Sequence, residues 1–145
     1  MTAISVITAV ARARRAGLLR IRPADAPLAF SCLGKECGLC CEVTGGAVVD
    51  EESSRCGRAK ILDAVGGRCN ALSNGQCTVY ASRPRGCREY PWYNVEGRLY
   101  FDSGCPGFSS GSDNRPLAST IAPIETYYAL PRWVRAIALW LVLRW

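Results

Sequence analysis

The chain has 145 residues and a formal charge of +6, with nine cysteines, no histidine, and arginine supplying all but two of its 18 basic residues. One compact domain is expected from that length, small enough for bound metal or cross-links to matter to its stability. Without histidine, any metal site must be built from sulfur, with a carboxylate as the one other side-chain donor in reserve, and imidazole acid–base chemistry is excluded. The odd number of thiols argues against a fully paired disulfide framework. A basic chain suggests nucleic acid or an anionic membrane as partner. Two zinc ions, each held by four thiolates, would however bring the charge down to about +2, so nucleic acid is not expected.

Residues 1–27 read as a basic N-terminal helix and a linker. Over 3–19, Ile4, Ile7, Val10 and Ala11 share one helical face, Arg12, Arg14 and Arg15 lie around the other, and Gly17 loosens the end. The apolar run precedes the arginines, the reverse of a secretory signal, which gives a cytoplasmic expectation. Organellar import is the minor alternative, because the first 24 residues hold five arginines and no acid. "RPADAPLAF" follows as a linker, its prolines opposing regular structure.

Residues 28–110 form the cysteine-cluster region. In "CLGKECGLCC", Cys37-x2-Cys40 has the spacing at which a tight turn aims two sulfurs at one point. Cys41, directly adjacent, projects elsewhere, so the doublet implies two neighbouring centres or one multinuclear cluster. "DEESSRCGRAKILDAVGG" reads as a helix with acids at its start and Gly66-Gly67 at its stop; Cys56 within it reads as a buried structural cysteine. In "CNALSNGQCTVY" the Asn74-Gly75 turn sets a hairpin with Cys77 opposite Leu72 and Cys69 opposite Tyr80, the two thiols on opposite faces. In "WYNVEGRLYF" the Glu96-Gly97 turn puts Cys87 opposite Pro106, so that Cys87 and Cys105 meet at the hairpin's open end.

Residues 111–145 contain the rest of a polar Gly/Ser/Pro loop that begins at Pro106, and then an apolar helix starting at Pro131 in "LPRWVRAIALWLVLRW". About fourteen residues of helix reach roughly 21 Å, short of the roughly 30 Å of a membrane core. The favoured reading is a helix packed on the domain or on a protein partner. Membrane-surface contact through Trp133, Trp140 and Trp145 is the second reading, and no transmembrane span is expected.

"CLGKECGLCC", "CNAL", "CTVYASRPRGCREYPWY" and "CPGF" together resemble the YkgJ-type cysteine-cluster family, the zinc- or iron-chelating CxxCxxCC domain, over residues 30–108. The resemblance is carried most specifically by Tyr80, Arg83, Pro84, Cys87, Arg88, Tyr90 and Pro91. It implies eight thiol ligands: Cys32, Cys37, Cys40, Cys41, Cys69, Cys77, Cys87 and Cys105. Where the family usually has two residues between its first pair of cysteines, this chain has four, Leu33 to Glu36, still within the range of structural zinc sites. Arg83 and Arg88, with Tyr80 and Tyr90, are expected to flank the thiolates, the arginines neutralising charge and donating hydrogen bonds to sulfur. The aromatic residues around them read as core before they read as a base-stacking surface.

The expected fold is therefore small α+β: a metal-stabilised, loop-rich cysteine-cluster domain with short β-hairpins and flanking N- and C-terminal helices. The expected cofactor is an iron-sulfur cluster or zinc. The adjacent cysteines, the neighbouring arginines and the Cys105-Pro106 pair tilt the balance slightly to iron-sulfur. The expected role is a redox or a structural and partner-binding module. Because some proteins it resembles are associated with lysine methylation of flagellin, a subunit or domain of a modifying enzyme is the alternative. No catalytic residue can be named: there is no nucleophile–base pair, "VGG" at 65–67 is a helix stop, and Asp50, Glu51 and Glu52 read as a solvated helix start.

Overall fold

The computed structural model describes residues 20–38, 71–83 and 85–143, together with Ile4, Ile7, Thr8, Ala11 and Arg15 of the N-terminal segment, all five of them helical. The helix expected over the Asp50–Gly67 stretch, and Cys40, Cys41, Cys56 and Cys69, lie outside the described residues. What is described is small and mixed α+β, with short strands and short helices.

Its centre is a three-stranded antiparallel sheet. β5 (Trp92–Val95) and β6 (Arg98–Asp102) form the hairpin expected around Glu96-Gly97, with Val95 opposite Arg98 and Trp92 opposite Phe101. Both turn residues have positive φ, 55° and 75°, the pair of left-handed conformations that matches strand twist in a two-residue turn. The third strand, β1 (Ile21–Pro23), pairs with the other edge of β6. That segment was expected to be linker. Pro23 lacks an N–H to give the ladder but sits on an edge strand, where none is required.

Side chains alternate across β5 and β6, so the sheet has two apolar faces. Trp92 on one face packs with Phe30, Phe101 and Phe108, the rings of Phe101 and Phe108 lying 4.9 Å apart centroid to centroid. Tyr93, Val95 and Tyr100 on the other pack with Tyr90 and Ile124, and Leu139 and Leu143 close over them. Those two leucines belong to α3 (Arg132–Leu143), which follows α1 (Arg85–Glu89) and α2 (Glu125–Tyr128).

The expected apolar C-terminal helix divides its surface between the domain and solvent. Val134 is completely buried, with Ile7 of the N-terminal helix and Leu130 packed against it, while Trp133, Ile137 and Trp140 are exposed. The expected apolar face of the N-terminal helix is only partly covered, since Ile7 packs on Val134 but Ile4 is exposed. Among the described residues, no helix is long and apolar enough to cross a membrane.

Two shorter pairings complete the frame. β3 (Leu72–Ser73) and β4 (Gln76–Cys77) form the Asn74-Gly75 hairpin in the expected register, Leu72 opposite Cys77. β2 (Ala29–Phe30) pairs with β7 (Phe108–Ser109), two segments expected to be irregular. Asn114 extends that pairing with its side chain, accepting the Phe30 N–H at 2.8 Å and donating to the Phe30 carbonyl at 2.8 Å. Arg115 reaches further back and donates to the Ala24 carbonyl at 2.7 Å. The polar loop is thereby strapped onto β2, its backbone groups satisfied by side chains instead of a longer ladder.

Candidate metal centre

Three separate stretches of chain deliver cysteines to one place. The β2–β7 pairing continues one step past its strands, the Ser31 N–H donating to the Gly107 carbonyl at 2.9 Å, and so lays Cys32 beside the Cys105-Pro106-Gly107 turn. Only glycine allows this approach: a Cβ at position 107 would stand 2.6 Å from the Phe30 ring and 2.6 Å from the Ser31 carbonyl oxygen. Gly34, at φ +89°, then turns the chain so that the Cys37 N–H reaches the Gly34 carbonyl at 3.2 Å. Cys87 is buried in α1. That helix is pinned by Glu89, whose two oxygens hold Arg85 at 2.6 Å and the Ala122 N–H at 3.0 Å.

Cys32, Cys37, Cys87 and Cys105 line a single cavity of about 30 Å³, with Tyr80, Arg83 and Tyr90 among its walls. No disulfide joins the described cysteines to one another. The convergence of Cys87 with the Cys105 turn was expected from an extended hairpin ladder. The ladder instead ends at Trp92 and Phe101, and Cys87 arrives on a helix.

The cavity mouth is electropositive at Cys32. The Tyr80 hydroxyl lies 3.5 Å from its sulfur and an Arg83 nitrogen 4.0 Å away, while the Arg83 guanidinium stacks 3.8 Å from the centre of the Tyr80 ring. Partial burial pushes the Cys32 thiol up, but hydrogen bonds from Tyr80, the Gly34 amide and Arg83 outweigh it and leave the thiol below its ordinary value. The hydrogen bond to Cys32, with some burial, raises the Tyr80 phenol. Arg88 stands one step further out, bound to the Arg83 carbonyl.

The floor of the cavity is more negative. Burial raises the Cys105 thiol most, the charges of Cys37, Asp102 and Cys32 raise it further, and the Gly107 amide opposes them by donating to its sulfur. Cys32 and Cys105 thus share a local pattern, Cys-x-Gly, in which the glycine amide two residues on faces the thiol. Tyr90 donates its hydroxyl to Asp102 at 3.0 Å. Burial first, then the Asp102 charge, drives that phenol far above its usual range, so it stays a donor. Asp102 was not singled out from the sequence, although the Asp-x-Gly of "DSGCPG" is a turn signal that leads straight into Cys105.

Cys77 faces a different hollow, lined by Lys35, Ser73, Gln76 and Thr78. It is buried, and its N–H donates to the Lys35 carbonyl at 3.1 Å, which docks the 34–38 turn on the β3–β4 hairpin.

Residues 31–106, more than half of the chain and the segment holding all nine cysteines, match the CxxCxxCC family, "Putative zinc- or iron-chelating domain". The chain belongs to the CxxCxxCC family. No curated protein and no solved structure matches it. The donor chemistry of the cavity suits this family's description, since four thiols and no nitrogen ligand are what zinc and iron accept in all-sulfur sites. Among the described residues, however, no three cysteine or carboxylate side chains stand close enough together to hold a metal ion as they are.

Proposed function

We propose that this CxxCxxCC protein chelates one zinc or iron ion between Cys32, Cys37, Cys87 and Cys105, and that the ion serves a structural or one-electron redox module. The supporting observation is that four thiols from three separate segments line one small cavity. A cavity of about 30 Å³ has room for about two water-sized objects, given the roughly 10–15 Å³ each requires. With the thiols where they stand, that is room for a single ion. Bound zinc would act as a cross-link; bound iron would add a one-electron couple.

The ligands differ in what they must do. Cys87 is buried on a pinned helix and Cys105 packs against the main core, so both are preplaced. Cys32 and Cys37 are exposed on the Gly34 turn, and they close the site by moving inward. Arg83 then offsets part of the thiolate charge from the open side. Binding would tie the β2–β7 pair, the 34–37 turn and α1 together, and its free energy would add to folding stability.

Isolation without air or chelator, followed by elemental analysis and a visible spectrum, tests this reading. It expects stoichiometric zinc with a blank spectrum, or iron with the spectrum of a mononuclear thiolate site. Broad brown absorption with inorganic sulfide would replace the single ion by an iron-sulfur cluster. Folded protein containing neither metal would end the chelation reading.

A further inference from the structure

We propose that Asp102 is the positioning residue of the thiolate site, holding Cys105 in the orientation that lets it reach metal; the inference rests on the four-thiol reading above. Asp102 ends β6 and is 2% exposed, one of two buried polar side chains in the core of the described residues. A carboxylate so enclosed is costly unless every oxygen is occupied, and here both are. Oδ1 accepts the Gly104 N–H at 2.8 Å, and Oδ2 accepts the Tyr90 hydroxyl at 3.0 Å. Arg20 supplies the countercharge, its Nε 3.4 Å from Oδ1.

The backbone of the same residue does the complementary work. Its N–H donates to the Pro91 carbonyl at 2.9 Å, and its carbonyl accepts the Cys105 N–H at 3.1 Å. Asp102 therefore fixes the Ser103–Gly104 peptide through its side chain and the Cys105 amide through its main chain. Arg20 locks the turn from outside, because its carbonyl receives Ser103 twice, from N–H at 2.8 Å and from the hydroxyl at 2.9 Å. Its guanidinium occupies the space where a Cβ on Gly104 would project.

A core anchor alone would not need this arrangement. Tyr90 is both the partner of Asp102 and a wall of the thiol cavity, so the carboxylate links the inner wall to the Cys105 turn. Outer partners of metal ligands act in this way: they fix the ligand's orientation, and their loss lowers affinity without removing a ligand.

Cobalt(II) provides the test, since thiolate-to-cobalt charge transfer reports bound sulfurs while competition with a chromophoric chelator reports affinity. Asp102→Ala should weaken cobalt binding about 10–100-fold. It should also lose about a quarter of the charge-transfer intensity per bound cobalt, as Cys105→Ser does, one of four sulfurs being mispositioned. Tyr90→Phe, which removes one hydroxyl and keeps the ring, should change both readings in the same direction and decides the matter if Asp102→Ala does not fold. If the variants are merely less stable without metal, yet bind cobalt with unchanged affinity and spectrum, Asp102 is an anchor only and the inference is overturned. A wild-type protein that takes up no cobalt would overturn the underlying four-thiol reading, which is a distinguishable result.

Discussion

A methyl group at position 107 would have no space. The Cβ of Gly107→Ala would stand 2.6 Å from both the Phe30 ring and the Ser31 carbonyl oxygen, where ordinary contact begins at 3.4 Å. Relief requires β7 to move from β2 by about 1 Å, an overpacking strain of about 1–3 kcal/mol. The Ser31–Gly107 hydrogen bond would be lost or stretched, adding about 1 kcal/mol. The expected destabilisation is therefore about 2–4 kcal/mol, read by urea unfolding of the metal-free protein. Because the same pairing sets Cys32 beside the Cys105 turn, cobalt affinity should fall as well. Gly97→Ala is the control: nothing lies within 4 Å of its Cβ, and its φ of +75° adds only backbone strain, at a turn remote from the thiols. It should cost about 1–2 kcal/mol and leave cobalt affinity unchanged. If Gly107→Ala matched the wild type in stability, or lost stability with affinity intact, the role given to the β2–β7 pair would be wrong.

The thiols should not be equivalent. Cys87→Ser is expected to lower metal affinity by more than about tenfold, whereas Cys56→Ser should leave metal content unchanged; equal losses by elemental analysis would undo the assignment. Asp113, which accepts the Leu28 N–H at 3.2 Å and pairs with Arg115 at 2.8 Å, predicts a pH dependence. Hydrogen bonds from the Arg115 side chain, then from the Leu28 and Arg115 amides, hold its carboxyl at about 2, against about 3.9 in an unfolded chain. A depressed folded value means that its contribution is present in full above about 4 and fades as the pH falls through about 2. The stability difference between wild type and Asp113→Asn should accordingly shrink between pH 5 and pH 2. A difference that stayed constant across that window would assign the role of Asp113 to packing.

Local chemistry was legible in the sequence, and distant pairing was not. Asn74-Gly75 and Glu96-Gly97 each specify a turn whose geometry dictates which residues face one another, and both registers follow from it. β1 and β2 carry no comparable signal. Ile21 meets Asp102 and Phe30 meets Phe108 across long loops; Ile21 packs on the Tyr93–Tyr100 face, while Phe30 and Phe108 cover Trp92 on the other. The same limit applied to the site. The metal-binding residue type could be read from composition and motif, but the separation of Cys77 from the Cys32–Cys105 cavity depends on how the 34–38 turn docks. Asp102 escaped notice because a lone acid in a strand looks like a surface residue until Tyr90 and Arg20, from two separate segments, close over it together with the Gly104 amide.

X-ray absorption at the metal edge of the natively loaded protein tests the central claim most directly, because it counts the atoms around the ion without reference to any function. Four sulfur neighbours at about 2.3 Å, with no nitrogen or oxygen shell, is the predicted result. A first shell dominated by light atoms, or fewer than four sulfurs in a fully loaded sample, would contradict it.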